Sequence, residues 1–175
     1  MKEDKAFIQE QLLVNTATFI KFINEQTESS FTYSPDGKWS FGQIIEHLNK
    51  SLAPVNLALT LPGFLFQILY GKPNRKARTN QELIDRYLQK LAAGGRASGR
   101  FIPRAVAWAD KQKKLDAFKR ETDKMINRLS RWSEDQLDQH LLPHPLLGKL
   151  TLREMLFFSA YHIKHHIELL QQRKV

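Results

Sequence analysis

Apolar residues in this chain return every three or four positions, and almost nowhere at every second one. That period gathers them on one face of a 3.6-residue turn and so commits the backbone to α-helix. Residues 5–26 place Ile8, Leu12, Phe19, Ile20 and Ile23 on such a face, with no internal Gly or Pro. A second helix is expected from Ser40, because Ser40-Phe41-Gly42-Gln43 reads as a capping box. The serine oxygen accepts from the Gln43 amide and the glutamine side chain returns to the cap amide. Ile44, Ile45, Leu48 and Leu52 follow as its stripe, and Pro54 can kink it or end it early. A third helix covers about 110–131, with Leu115, Phe118, Met125, Ile126 and Leu129 facing inward. The fourth begins at a second capping box, Thr151-Leu152-Arg153-Glu154, and runs to about Arg173.

Four long amphipathic segments indicate an all-α four-helix bundle. A length of 175 residues suits one domain, 1–175, with one sizeable core. No strand-like alternation is sustained, so essentially no sheet is expected. Residues 28–39, with Ser29, Ser30, Ser34, Pro35 and Gly37, read as a loop; Trp132 to Asp135 ends the third helix and leads to a short turn or helix through Leu137. The 60–109 region is long for a bundle connection and reads as a lid or insertion. It holds extra short helices near 64–70 and 81–91, the latter capped by Thr79 or Asn80, and a bend marked by Gly94, Gly95, Gly99 and Pro103. Those glycines lack phosphate-loop spacing.

The charge of +9 is uneven. Residues 72–131 hold 17 Lys/Arg and 6 Asp/Glu, while the remainder holds 10 and 12. Such a basic region can attract nucleic acid, anionic lipid or an anionic small molecule. Helix-surface pairing such as Asp116–Arg120 is the plainer reading. Nucleic-acid binding is disfavoured, since no zinc-finger spacing, aromatic RNP-like strand or clear basic helix-turn-helix is present. The N-terminus lacks signal-peptide order and the longest apolar stretch, Leu59 to Tyr70, is too short to span a bilayer, so a soluble cytoplasmic protein is expected. With no cysteine, a disulfide scaffold, a zinc finger and a cysteine nucleophile are all excluded, and any metal must sit on nitrogen and oxygen ligands.

Six histidines remain as the informative residues: 47, 140, 144, 162, 165 and 166. His162 and His166 lie about 40° apart around the fourth helix and roughly 6 Å along it, at one edge of the apolar stripe. Both can enter one cleft, as metal ligands or as packed residues. A bound divalent ion would satisfy two buried imidazoles one turn apart. A catalytic site needs a third ligand from another helix. His47 is the best donor by residue type and position, although it flanks its own apolar stripe. His165 falls outside the stripe, where it touches solvent or supports a ligand. His140 and His144 read as loop or supporting residues. No acid lies between His162 and His166, so the metalloprotease motif is absent.

Two segments carry a family resemblance. Trp39-Ser40-Phe41-Gly42-Gln43-Ile44-Ile45-Glu46-His47-Leu48 is one; His144-Pro145 through Gly148, Leu150-Thr151 and Glu154, leading into His162-Ile163-Lys164-His165-His166, is the other. In these the chain resembles the DinB/YfiT-like superfamily of four-helix-bundle metalloenzymes. The family's closing Gln-Ile pair is replaced here by Ile167-Glu168-Leu169-Leu170-Gln171. The resemblance implies a divalent metal, zinc or nickel and alternatively manganese, on His47, His162 and His166. It implies a metal-dependent enzyme, a thiol S-transferase or a hydrolase, acting on a small molecule, and often a homodimer; the basic 72–131 region would suit an anionic thiol or acidic electrophile. Without a cysteine in the chain, a transferase would need an external low-molecular-weight thiol such as bacillithiol or mycothiol. Gln43 and Ser159, each one turn before a ligand, are candidates to support the site or touch substrate; Glu46 and Glu168 lie nearer the surface. Two alternatives stand beside the enzyme: a non-catalytic, metal-stabilised binding or regulatory bundle and, less favoured, nucleic-acid binding through 72–131.

Overall fold

The computed structural model describes residues 3–173. Its elements follow as α1 (Lys5–Asn24), α2 (Glu28–Thr32), α3 (Phe41–Ala58), α4 (Gly63–Tyr70), α5 (Asn80–Ala92), α6 (Lys111–Leu129), α7 (Glu134–Gln139), β1 (Leu141–His144), β2 (Gly148–Thr151) and α8 (Leu152–Gln171). The long helices start where their caps dictate. Ser40 Oγ accepts from the Gln43 amide at 3.2 Å, and Gln43 Oε1 accepts from the Ser40 amide at 2.9 Å. Thr151 and Glu154 form the same reciprocal pair at the head of α8. Pro54 does not end α3, which continues to Ala58.

The four long helices form the expected bundle: α1 packs against α6 and α8, and α3 packs against α6 and α8. Ile8, Leu12, Phe19, Ile23, Ile45, Leu48, Phe118, Met125, Leu129, Leu156 and Ile163 are fully buried between them. Phe19 and Phe118 meet at a ring-centroid distance of 5.0 Å. Ile20 and Ile126, expected in the core, lie half-buried at its edge. The 60–109 region carries both short helices, with Thr79 rather than Asn80 capping α5 through a box with Glu82. It then returns over α3 through the 3₁₀ turn Gly99–Phe101. The 28–39 loop contains α2 and a second 3₁₀ turn, Pro35–Gly37.

The expectation of no sheet is overturned by a two-stranded antiparallel hairpin. Leu141 pairs with Thr151, Leu142 with Leu150, Pro143 with Lys149 and His144 with Gly148. Residues 145–147 make the turn, and Gly148 takes φ +78°, the left-handed step that three-residue hairpins use. Four-residue strands, one containing Pro143, are too short to display an alternating pattern. The hairpin is anchored by Leu142 and Leu150, both buried.

Part of the basic region is engaged within the fold. Glu154, fully buried, accepts from Arg75 Nη1 and Nη2 at 2.6 and 2.8 Å and from Arg78 through its amide and Nη1 at 2.8 and 3.1 Å. Lys114 pairs with Glu46 at 2.6 Å, and Lys119 and Lys124 pair with Asp123 and Glu121 on α6. Asp116 accepts from Gln112 in place of the expected Arg120. Among the described residues, no single helix is long and apolar enough to cross a membrane.

Candidate metal centre

Helix α3 delivers His47 two turns after its cap, and α8 delivers His162 and His166 one turn apart. The packing of α3 on α8 brings the three rings together. His47 Nε2 lies 3.2 Å from His162 Nε2, and His166 Nε2 lies 3.0 Å from the same atom. One nitrogen from each residue falls within a 4.8 Å cluster, all three side chains being buried. The ring centroid of His47 is 4.9 Å from that of His162 and 5.2 Å from that of His166, both edge-on. Trp39 covers the other side of His47 at 4.8 Å, and Phe158 stacks on His162 at 4.9 Å with 24° between planes.

This arrangement fits a divalent cation. His47 Nδ1 donates to the Phe101 carbonyl at 2.8 Å, so its Nε2 carries a lone pair aimed into the cluster. A single N–H on His162 would have to be shared between two neighbours, whereas one cation takes a lone pair from each ring. Imidazole nitrogens that share an ion at about 2 Å stand about 3 Å apart. The buried Nδ1 of His166 has no hydrogen-bond partner, so unlike the His47 ring it is not oriented by a second bond. Burial pushes all three imidazoles below their ordinary pKa. Mutual repulsion depresses His162 and His166 further, while the Phe101 carbonyl partly offsets the shift at His47. The rings are therefore neutral at neutral pH, the state in which imidazole ligates metal.

A cavity of about 320 Å³ opens beside the cluster and reaches His47 and His162. Leu52, Val55, Met155 and Phe158 make its walls apolar; Arg96 and Arg100 also line it, and no Asp or Glu does. The 60–109 region supplies one side, through Tyr87, the two arginines and Phe101.

The other candidates are placed as follows. Gln43 has its side-chain oxygen committed to the α3 cap. Ser159 is buried on the cavity wall and donates its hydroxyl to the Met155 carbonyl at 2.8 Å. His165 is half-buried and packs against Tyr87 and Tyr161, its ring 5.6 Å from His166. His140 is buried between Phe66 and Trp132, and its Nδ1 donates to the Gln136 carbonyl at 2.7 Å.

Two participants escaped the sequence reading. Tyr87 lies four residues after buried Leu83 on α5, a spacing that marks an inward face. His144, read from the sequence as a loop or supporting residue, stands at the end of β1 and lines the cavity. The Phe101 carbonyl left no signal, since every residue has one.

By fold and site, this is a four-helix bundle with a three-histidine centre able to hold a divalent metal. The chain belongs to the DinB superfamily, whose sequence pattern it matches over residues 11–170. Among solved structures it is similar to YfiT from Bacillus subtilis, described as a probable metal-dependent hydrolase with an unusual four-helix bundle topology. The two share 17% identity and a TM-score of 0.65, over 98% of this chain and 86% of that one, which establishes likeness of fold. No curated protein matches the chain.

Proposed function

We propose that this protein is a metal-dependent enzyme acting on a small, partly apolar and anionic molecule, with His47, His162 and His166 as the ligands. The observation that carries this reading is the convergence of three neutral Nε2 atoms beside an apolar cavity that reaches two of them. When bound, a divalent cation supplies Lewis acidity, which lowers the pKa of a ligated thiol or water and keeps a nucleophile available at neutral pH. The chain's own residues do the rest. The Phe101 carbonyl orients His47; Trp39 and Phe158 hold the rings and limit water; Arg96 and Arg100 attract negative charge toward the cavity.

Of the two reactions the family suggests, thiol S-transfer is favoured by the lining. A hydrolase benefits from a carboxylate general base beside the attacking water, and no Asp or Glu lines this cavity. A thiol is intrinsically far more acidic than water, so beside an ion held by the three histidines it would depend less on a protein base to give up its proton. Hydrolysis is the second reading, favoured by the description of YfiT as a probable metal-dependent hydrolase. The electrophile and the metal, zinc, nickel or manganese, follow from experiment. The purified chain is loaded with each ion and assayed against thiols paired with electrophiles and against esters and amides. One ion per chain, lost in His162→Ala and His166→Ala, together with thiol-dependent turnover, supports the proposal. Unchanged metal affinity in both variants overturns the site. Metal binding with no turnover across the panel overturns the enzyme and favours a metal-stabilised binding bundle.

A further inference from the structure

We propose that His144 forms a second binding point in the cavity, its Nε2–H donating to a carboxylate on the substrate whose reacting group sits at the three-histidine centre. This rests on the metal-dependent reading above and assigns the anionic part of the substrate to a residue.

The hairpin turn sets the tautomer. The amides of Leu146 and Leu147 both donate to His144 Nδ1, each at 3.1 Å. A ring nitrogen that accepts two N–H groups carries no hydrogen, so the proton of the neutral imidazole is on Nε2. That atom lies across the ring from the turn, and His144 lines the same cavity as His47 and His162. Among the described residues it has no hydrogen-bond partner at Nε2. Burial pushes its pKa down to about 4, so the ring is a neutral donor at neutral pH.

Distance suits a two-point ligand. His144 meets the Phe158 ring edge-on at 4.3 Å, and Phe158 stacks on His162 at 4.9 Å, so the two imidazoles are no more than about 9 Å apart. A small molecule in the cavity that His47, His144 and His162 all line can span that distance. The nearby hydroxyl of Ser159 has already given its proton to the Met155 carbonyl, and of the hairpin residues that line the cavity His144 alone has a side-chain donor, with Arg96 and Arg100 adding charge from the 60–109 region.

The test uses the full chain loaded with Co(II) and two probes, 3-mercaptopropionate and 1-propanethiol, followed by the cobalt–thiolate charge-transfer band. His144→Asn keeps an acceptor near the Nδ1 position for the turn amides but puts no donor at the Nε2 position; His144→Gln does the reverse. A donor role predicts that His144→Asn weakens 3-mercaptopropionate binding ten- to hundredfold, the range for a hydrogen bond to a charged group. It also predicts unchanged propanethiol binding in both variants and recovery of at least part of the carboxylate preference in His144→Gln. Wild-type affinity in His144→Asn overturns the proposal, as does equal weakening of both thiols or a His144→Gln variant no better than His144→Asn. Long-range ¹H–¹⁵N spectra of the metal-free chain give an independent reading: the Nε2–H tautomer supports the proposal and the Nδ1–H tautomer overturns it. A wild-type chain that binds no Co(II) overturns the metal reading itself, a result distinct from the others.

Discussion

His47 differs from its two partners in that its second nitrogen is occupied. The Phe101 carbonyl holds it as an acceptor toward the cluster, whereas His166 Nδ1 is buried without a partner. Histidines kept neutral by burial also make stability depend on pH. The sign follows from the direction of the shift: His144 has a folded pKa of about 4, below the ordinary 6.5. As pH falls, the unfolded chain takes the proton first, so this contribution is complete above about 6.5 and is lost progressively toward about 4. The melting temperature of the metal-free protein should therefore drop between pH 7 and pH 4. His144→Asn should show a shallower drop, measured by thermal unfolding across that range; parallel curves for the two proteins would contradict it.

Among the elements, the hairpin and the head of α8 act together. Glu154 completes the α8 cap through the Thr151 amide at 2.9 Å while holding Arg75 and Arg78 from the chain before α5. Burial pushes its carboxyl up, but the Arg75 hydrogen bonds and the Arg78 and Thr151 amides outweigh that and hold it below the ordinary value. Replacing one partner of a buried pair costs about 3–5 kcal/mol, and the partial exposure of both arginines brings this to about 2–3 kcal/mol. Glu154→Gln should thus lower the melting temperature by about 5–10 °C at neutral pH, with the difference shrinking in acid as the wild-type carboxylate is protonated. Gly148 presents a second case, because its φ of +78° is strained for any side chain. Gly148→Ala should cost about 1–2 kcal/mol in chemical denaturation and loosen the turn whose amides hold His144.

At the scale of the molecule, a metal at the proposed site would be thermodynamically linked to the fold, because the candidate ligands come from α3 and α8 and unite only when the bundle is closed. Free metal at one hundred times its dissociation constant should stabilise the protein by about 2.7 kcal/mol. A chelator should remove that increment, and His166→Ala should not show it at all. An identical metal-induced rise in the melting temperature of His166→Ala would place the ion elsewhere.

How much could be read from the residues alone varies with the range of the interaction. The long helices and the two capping boxes were legible, and so was the shared face of His162 and His166, because each rests on residues within about a turn of one another. His47 was legible as the best third donor by residue type and position, although periodicity placed it at the flank of its stripe, and the resemblance strengthened it. The hairpin was missed because its four-residue strands, one containing a proline, give no period to read. The bond from His47 to Phe101 spans 54 residues and the approach of His47 to His162 spans 115. Contacts of that range depend on how α3 seats against α8 and how the 60–109 region folds back over both. Local sequence sets which faces are apolar and where helices begin; the packing of those faces sets which polar atoms end up about 3 Å apart, and the candidate site lies in that second kind of information.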